Sequence, residues 1–114
     1  MSNGVSTALE PLIRRGVFAT EEQAIQELLR EYVLRQIAVF RRELGRFERK
    51  YGLPFERFSE YLHERSALLE TRHLSPEQSQ VLSRAIMQEE DDWLDWKVTQ
   101  ELLESWLGLR QEVS

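Results

Sequence analysis

Residues 20–52 read TEEQAIQELLREYVLRQIAVFRRELGRFERKYG, and this stretch decides the fold. It opens with Thr20 followed by Glu-Glu-Gln, which is the pattern of a capping box with acids in the first turn. It closes on Gly52, the residue type that most often follows a helix, and Pro54 then prevents continuation. The stretch therefore predicts one helix over 21–51, about 46 Å long at 1.5 Å per residue.

Shorter helices are predicted on both sides of this long one. Thr7 with Glu10 has the form of a capping box and predicts a helix over 8–15. Apolar residues at helical spacing after Pro54 predict a packing helix over 54–70. A cap, an N1 proline and an N3 glutamine at 75–78 begin a further helical segment over 75–110, either continuous or broken near Glu90. No strand pattern is present, so the predicted fold is all-α: one long central helix with three or four shorter helices in a single domain, 1–114.

An apolar stripe follows the long helix at spacings of 4, 3, 4, 3 and 4 residues, as in the seam of a coiled coil. The stripe is either the core face of a helical bundle or a surface for self-association. A helix of about 46 Å exceeds the diameter of about 26 Å of a compact domain of this size, and only short helices are expected after it. We therefore predict a homodimer in which residues 8–52 are the dimerisation helices and the interface is formed by Val33, Ile37, Phe40, Leu44, Phe47 and Tyr51.

Composition narrows the class of protein. The chain has 114 residues, 41% of them hydrophobic, a net charge of −5 and no cysteine. This length excludes a multi-domain enzyme, and the absence of cysteine excludes disulfides, thiolate metal sites and thiol nucleophiles. The first seven residues carry neither a charged start nor an apolar run, so we expect no signal peptide, no membrane span and a cytoplasmic protein.

Few residues are suited to catalysis. Histidine occurs only at His63 and His73, and neither is paired with a nucleophile in a recognisable order. Glu60 and His63 form a Glu-x-x-His unit of the kind that di-iron bundles use. The stripe of the long helix carries no carboxylate that would complete such a site. We therefore expect no catalytic residue, no metal and no cofactor, and keep a carboxylate/histidine metalloprotein only as a second alternative.

The two halves of the chain differ in charge. Residues 1–50 carry a net charge of +2 and residues 51–114 carry −7. Basic residues crowd the end of the long helix, where they either complement the helix dipole as a solvated end or contact phosphate or an acidic partner. The candidate nucleic-acid-binding residues are therefore Arg41, Arg42, Arg46, Arg49 and Lys50.

The acidic half contains a cluster of tryptophan residues among carboxylates. Residues 89–96 read EEDDWLDW, and a third tryptophan follows at Trp106. Exposed indoles supply buried area in an interface and carboxylates steer a basic partner, although the tryptophans could instead pack as core. We predict a partner-binding segment within 75–110 formed by Asp91, Asp92, Trp93, Asp95, Trp96 and Trp106.

Two stretches resemble a known class of protein. Residues 12–20 (LIRRGVFAT), continued by 23–25 and 28–30, are similar to the helix, Gly-x-aromatic turn and second helix of ribbon–helix–helix antitoxins. The resemblance covers about residues 8–33. Those proteins dimerise through a preceding strand that enters the DNA major groove, and here no clear strand pattern precedes the helix.

A second resemblance is more scattered but spans most of the chain. Residues 47–53 (FERKYGL) with Phe55 and Phe58, and later 92–96 (DWLDW) and 102–104 (LLE), are similar to small prokaryotic antitoxins of type II toxin–antitoxin modules. The resemblance implies that the chain binds and neutralises a cognate toxin, often a nuclease. The expected function is a non-catalytic protein-binding module of this kind, and the alternative is a DNA-binding transcriptional repressor.

Overall fold

A computed structural model describes residues 3–71 and 73–113, which fold into four α-helices. The helices are α1 (Asn3–Arg14), α2 (Glu21–Tyr51), α3 (Phe55–Thr71) and α4 (Pro76–Val113). No strand occurs in this part of the chain, so the predicted all-α class is confirmed.

The ends of α2 lie where the sequence predicts them. The backbone N–H of Gln23 donates to Thr20 Oγ1 (3.1 Å), and the Gln23 side chain accepts from the backbone N–H of Ala19 (2.8 Å). At the other end Gly52 has a φ of 66°, and its N–H donates to the Glu48 carbonyl (2.7 Å). Because only glycine adopts this left-handed φ without strain, the helix ends here and the chain turns into α3.

A reciprocal capping box begins α4. The backbone N–H of Gln78 donates to Ser75 Oγ (3.1 Å), and the backbone N–H of Ser75 donates to Gln78 Oε1 (3.2 Å). From there α4 continues for 38 residues without a break, which decides between the two possibilities that the sequence left open. The expectation that α2 is the longest helix is wrong, because α2 has 31 residues and α4 has 38.

The start of α1 differs from the prediction of a helix over 8–15. The helix begins at Asn3, and Glu10 forms an ion pair with Arg14 (2.8 Å) instead of capping at Thr7. Val5 stands four residues before the buried Leu9, so the additional turn places a second apolar side chain beside α2. The described chain is therefore helical from Asn3 onward and contains no strand before α1.

The chain divides into two compact units. The first unit combines residues up to Ala38 with those from Glu104, and its buried side chains are Leu9, Ala24, Val33 and Ile37. The Tyr32 ring on α2 lies 5.9 Å from the Trp106 ring on α4 within this unit.

The second unit, Val39–Leu103, has an aromatic core. Phe47, Phe58 and Trp96 come from three different helices and are each at most 2% exposed. Tyr51 of α2 contacts Asp92, whereas Phe47, one turn earlier, contacts Trp96, so α4 lies antiparallel to this part of α2. The half-buried residues packed around the core are Leu44, Tyr51, Leu53, Phe55 and Trp93.

The predicted dimer seam on α2 is largely core of the single chain. Val33, Ile37 and Phe47 are only 2–3% exposed without any partner chain, and Phe40, Leu44 and Tyr51 are half-buried. The structure thus favours the first of the two interpretations of this stripe. The physical reason is the length of α4: the argument for a partner chain assumed that only short helices follow α2.

Substituting Trp96 with alanine removes the largest side chain of the aromatic core. We expect Trp96→Ala to lower the free energy of unfolding by about 3–5 kcal/mol. The substitution leaves a cavity, and the three helices that line it cannot all move inward to fill it. Chemical denaturation followed by circular dichroism measures this loss. The matched control is Leu94→Ala, two residues away and 54% exposed, with an expected change below about 0.5 kcal/mol. Equal effects of the two substitutions would contradict the assignment of Trp96 to the core.

Candidate functional site

An open groove runs between α3 and α4 in the second unit. Its volume is about 510 Å³, and it is lined by Ser59, Leu62, His63 and Ser66 from α3 and by Glu90, Asp91, Trp93 and Leu94 from α4. The α3 residues recur at spacings of 3, 1 and 3 and therefore lie on one helix face. The groove has apolar and acidic side chains but no deep cavity, which is a geometry suited to an extended side chain or peptide segment.

Trp93 forms part of the groove wall and is held firmly there. Its Nε1–H donates to Ser59 Oγ (2.7 Å), and its ring stacks on Phe55 with centroids 5.9 Å apart. The Lys97 ammonium lies 5.3 Å from the centre of the Trp93 ring. Trp93 therefore presents a fixed, half-buried edge, unlike a freely exposed indole.

Carboxylates form one part of the groove wall. Glu90 and Asp91 line it and are exposed, and Glu60 and Glu64, each next in sequence to a lining residue of α3, are also exposed. Glu60 lies 3.7 Å from Arg57, and because both side chains are exposed, solvent largely screens the attraction between their charges. A surface of this sign attracts cationic groups and repels phosphate.

Two other acids of the cluster face inward. Arg65 of α3 donates to Glu89 (2.6 Å), and both side chains are about four-fifths buried. Lys50 of α2 donates to Asp92 (2.6 Å). These ion pairs join α4 to each of the two helices beside it.

Asp92 also accepts a hydrogen bond from the Tyr51 hydroxyl. Burial raises the pKa of the Asp92 carboxyl, but hydrogen bonds from Lys50 and Tyr51 outweigh burial, so the net pKa lies below its ordinary value. Burial, together with the hydrogen bond to Asp92, raises the pKa of Tyr51. At neutral pH the Asp92 carboxylate is thus held by the neutral phenol of Tyr51 and by the Lys50 side chain.

Within the second unit, the predicted partner-binding residues do not form one surface. Asp91 and Trp93 line the groove, whereas Asp92 is engaged by Lys50 and Tyr51 as described above, and Trp96 is buried core. Asp95 lies in a different depression of the second unit, beside Glu43, Arg46 and Val98, and Trp106 belongs to the first unit. The prediction that the three tryptophans dock together on a partner is therefore wrong for Trp96, which is only 1% exposed.

Four groove residues were not assigned to any site from the sequence. Ser59, Leu62, Ser66 and Leu94 line the groove but carry no motif, and their position follows only from the antiparallel packing of α3 on α4. A signal was present in the spacing of the α3 residues 59, 62, 63 and 66, which places a serine pair and a histidine on one face.

The predicted basic surface on α2 is partly neutralised. Lys50 is paired with Asp92, and Arg46 lies 3.1 Å from Glu43. Arg41, Arg42 and Arg49 are exposed and make no ion pair within the described part of the chain. Three cations on one helix end are therefore available to solvent.

The candidate metal pair lacks further ligands. Glu60 and His63 are both exposed on α3. Across residues 3–71 and 73–113, no group of three or more histidine, aspartate or glutamate side chains is placed to hold a metal ion.

Comparison of the chain with protein families, curated proteins and solved structures found no match. The antitoxin resemblance accordingly stays a prediction. In the described residues, none of the four helices combines the length and apolar character that crossing a bilayer requires.

The Asp92 interactions give a testable dependence on pH. At pH 7 we expect Asp92→Asn to cost about 1–2 kcal/mol of unfolding free energy, because it removes the charge that Lys50 and Tyr51 stabilise. A lowered folded-state pKa contributes stability above the unfolded-state pKa of about 4, and this contribution is lost as pH falls through the folded-state value. The difference in Tm between wild type and variant should thus shrink as pH falls from about 7 to 2.

Thermal melts followed by circular dichroism measure this difference. The exposed Glu101→Gln is the control for loss of a carboxylate and should melt like the wild type across the same range. A gap in Tm that stays constant down to the lowest pH would contradict a stabilising charge on Asp92.

Proposed function

We propose that the chain is a protein-binding module that holds a basic segment of a partner protein in the groove between α3 and α4. The observation that carries this proposal is the combination of exposed carboxylates, Glu90 and Asp91, with the apolar side chains of Leu62 and Leu94 in one open groove. Interfaces combine these features because apolar contacts supply affinity while charges select the partner and speed its approach.

Lysine and arginine side chains fit such a groove well. Their methylene stems pack against apolar surface, here Leu94 and the edge of Trp93, while the charged head reaches a carboxylate. The Ser59 hydroxyl is already engaged by the Trp93 indole, so the wall is organised before a partner binds. A preorganised wall reduces the entropy lost on binding.

The antitoxin resemblance suggests what the partner is. We propose that the partner is a toxin-like protein with a basic surface, and that the chain acts by occupying that surface without catalysing a reaction. Blocking a basic, substrate-binding surface requires shape and charge but no catalytic residue. We further propose that the chain acts in the cytoplasm and that it assembles as a homodimer.

Reversing charge in the groove tests the proposal. The probe is the product of the gene adjacent to that of this chain, co-expressed and co-purified with it. We expect the wild type to form a stable complex and Glu90→Lys/Asp91→Lys to weaken it by roughly a hundredfold or more in Kd, because two steering charges then repel the partner. Both substituted side chains are exposed, so the Tm of the variant should stay within a few degrees of the wild type.

A matched control separates the groove from the overall charge. Glu101→Lys/Glu104→Lys changes the net charge of the chain by the same amount on exposed positions of α4 outside the groove. This variant should bind the partner nearly as the wild type does. Equal weakening by both double variants would show that only net charge matters and would contradict a role for the groove.

A second candidate function is supported by the exposed arginines on α2. Arg41, Arg42 and Arg49 are available for phosphate contacts, as a DNA-binding repressor would require. In a gel shift with the DNA upstream of its own gene, we expect binding to fall steeply between 50 and 200 mM salt, in the range of about tenfold or more, and to be lost in Arg41→Ala/Arg42→Ala. Absence of a shift at the lower salt concentration would leave protein binding as the only proposed function.

A further inference from the structure

The first unit carries a second groove of a different chemistry, between α1 and α2. Its volume is about 400 Å³ and its wall is entirely apolar, formed by Gly4, Val5, Ala8 and Leu9 of α1 and by Ile25, Leu28 and Leu29 of α2. No charged side chain lines it. The groove is therefore unsuited to the basic segment that we propose for the groove between α3 and α4.

The apolar surface continues along α2 beyond the groove. Tyr32 lies on the same helix face as Ile25, Leu28 and Leu29, and it is 52% exposed although its ring contacts Trp106. The three aliphatic side chains are 39–48% exposed. The centre of this stripe is rotated by about 100° around α2 from the buried side chains of Val33 and Ile37. Four large apolar side chains left open on adjacent turns are typical of an interaction surface.

We propose that this stripe binds the same stripe of a second copy of the chain, with the two α2 helices antiparallel around a twofold axis between Leu28 and Leu29. The proposal gives the homodimer named above an interface. It does not use the groove between α3 and α4, so the two proposals can fail separately.

The sequence around the axis is complementary to itself in this orientation. A twofold axis between Leu28 and Leu29 pairs Leu28 of one copy with Leu29 of the other. It likewise pairs Ile25 of one copy with Tyr32 of the other. An isologous interface requires that residues equidistant from the axis suit one another. Here every central pair is apolar on both sides.

Charge complementarity decides the orientation. The same axis places Glu22 of one copy opposite Arg35 of the other, twice by symmetry. Both side chains are exposed, and within the described residues neither forms an ion pair. A parallel arrangement would instead place Glu22 opposite Glu22 and Arg35 opposite Arg35. Like charges at the same height of two helices repel, so the antiparallel arrangement is favoured.

Sedimentation equilibrium of the full chain tests the proposal. We expect a dimer at micromolar concentration, and a monomer in Leu29→Glu, because that variant buries a charge at the centre of the interface. Circular dichroism should show unchanged helix content for this variant, since Leu29 is already half exposed. A wild type that stays monomeric at about 100 μM would overturn the proposal, because stable interfaces bind well below this concentration.

Charge exchange tests the antiparallel arrangement. Arg35→Glu and Glu22→Arg each create two repulsive pairs, and we expect either to weaken dimerisation on the order of tenfold at low salt. The variant that carries both substitutions restores opposite charges in both pairs and should dimerise nearly like the wild type. Arg41→Glu, an exposed position of α2 outside the stripe, is the control and should leave dimerisation unchanged.

The remaining outcomes are also decisive. Failure of the double variant to recover would overturn the antiparallel pairing, and a dimer insensitive to Leu29→Glu would place self-association on another face. A monomeric wild type whose capture of the adjacent gene product is lost in Leu29→Glu would show that the partner occupies this stripe. A monomeric wild type that needs only Glu90 and Asp91 for capture would overturn the interface and leave the proposed function intact.

Discussion

The stacking of the Trp96 indole on both Phe47 and Phe58 is the interaction on which the second unit depends. The ring centroids lie 5.5 Å from Trp96 in both cases, and the three side chains come from α4, α2 and α3. Because each helix contributes one ring, none of the three can move along its axis without opening the core. The position of every α4 residue along the groove, from Glu90 to Leu94, follows from this contact.

Ion pairs at the edge of this core divide the acidic cluster into two groups. Glu89 and Asp92 turn toward Arg65 and Lys50, where their charge stabilises the packing of α4 on its neighbours. Glu90 and Asp91 lie between them in sequence and, at 100° per residue, point to the groove. A run of four acids would weaken an isolated helix by repulsion, but two of these charges are compensated, which is consistent with α4 remaining unbroken.

The sequence predicted most helix ends because those ends depend on local chemistry. Thr20, Gly52 and Ser75 each act through hydrogen bonds or a backbone angle within a few residues, so the local sequence alone locates these helix ends. It predicted the apolar stripe on α2, but it did not predict which face of α4 is buried, because that depends on α4 lying antiparallel to both α2 and α3. Leu94 and Ser66 thus became groove residues without a motif, while Trp96, prominent in the sequence, proved to be core.

The chemistry of the two open surfaces separates self-association from recognition of a partner. Pairing of the groove between α3 and α4 with the same groove of a second copy is unfavourable, because Glu90 and Asp91 of one copy would meet carboxylates of the other. The stripe around Leu28 and Leu29 has the opposite property: its centre is apolar, and its ends, Glu22 and Arg35, are complementary to each other when two copies pair antiparallel. An acidic surface that repels its own copy suits a ligand of opposite charge. For this reason we assign the basic partner to the acidic groove and the second copy to the apolar stripe.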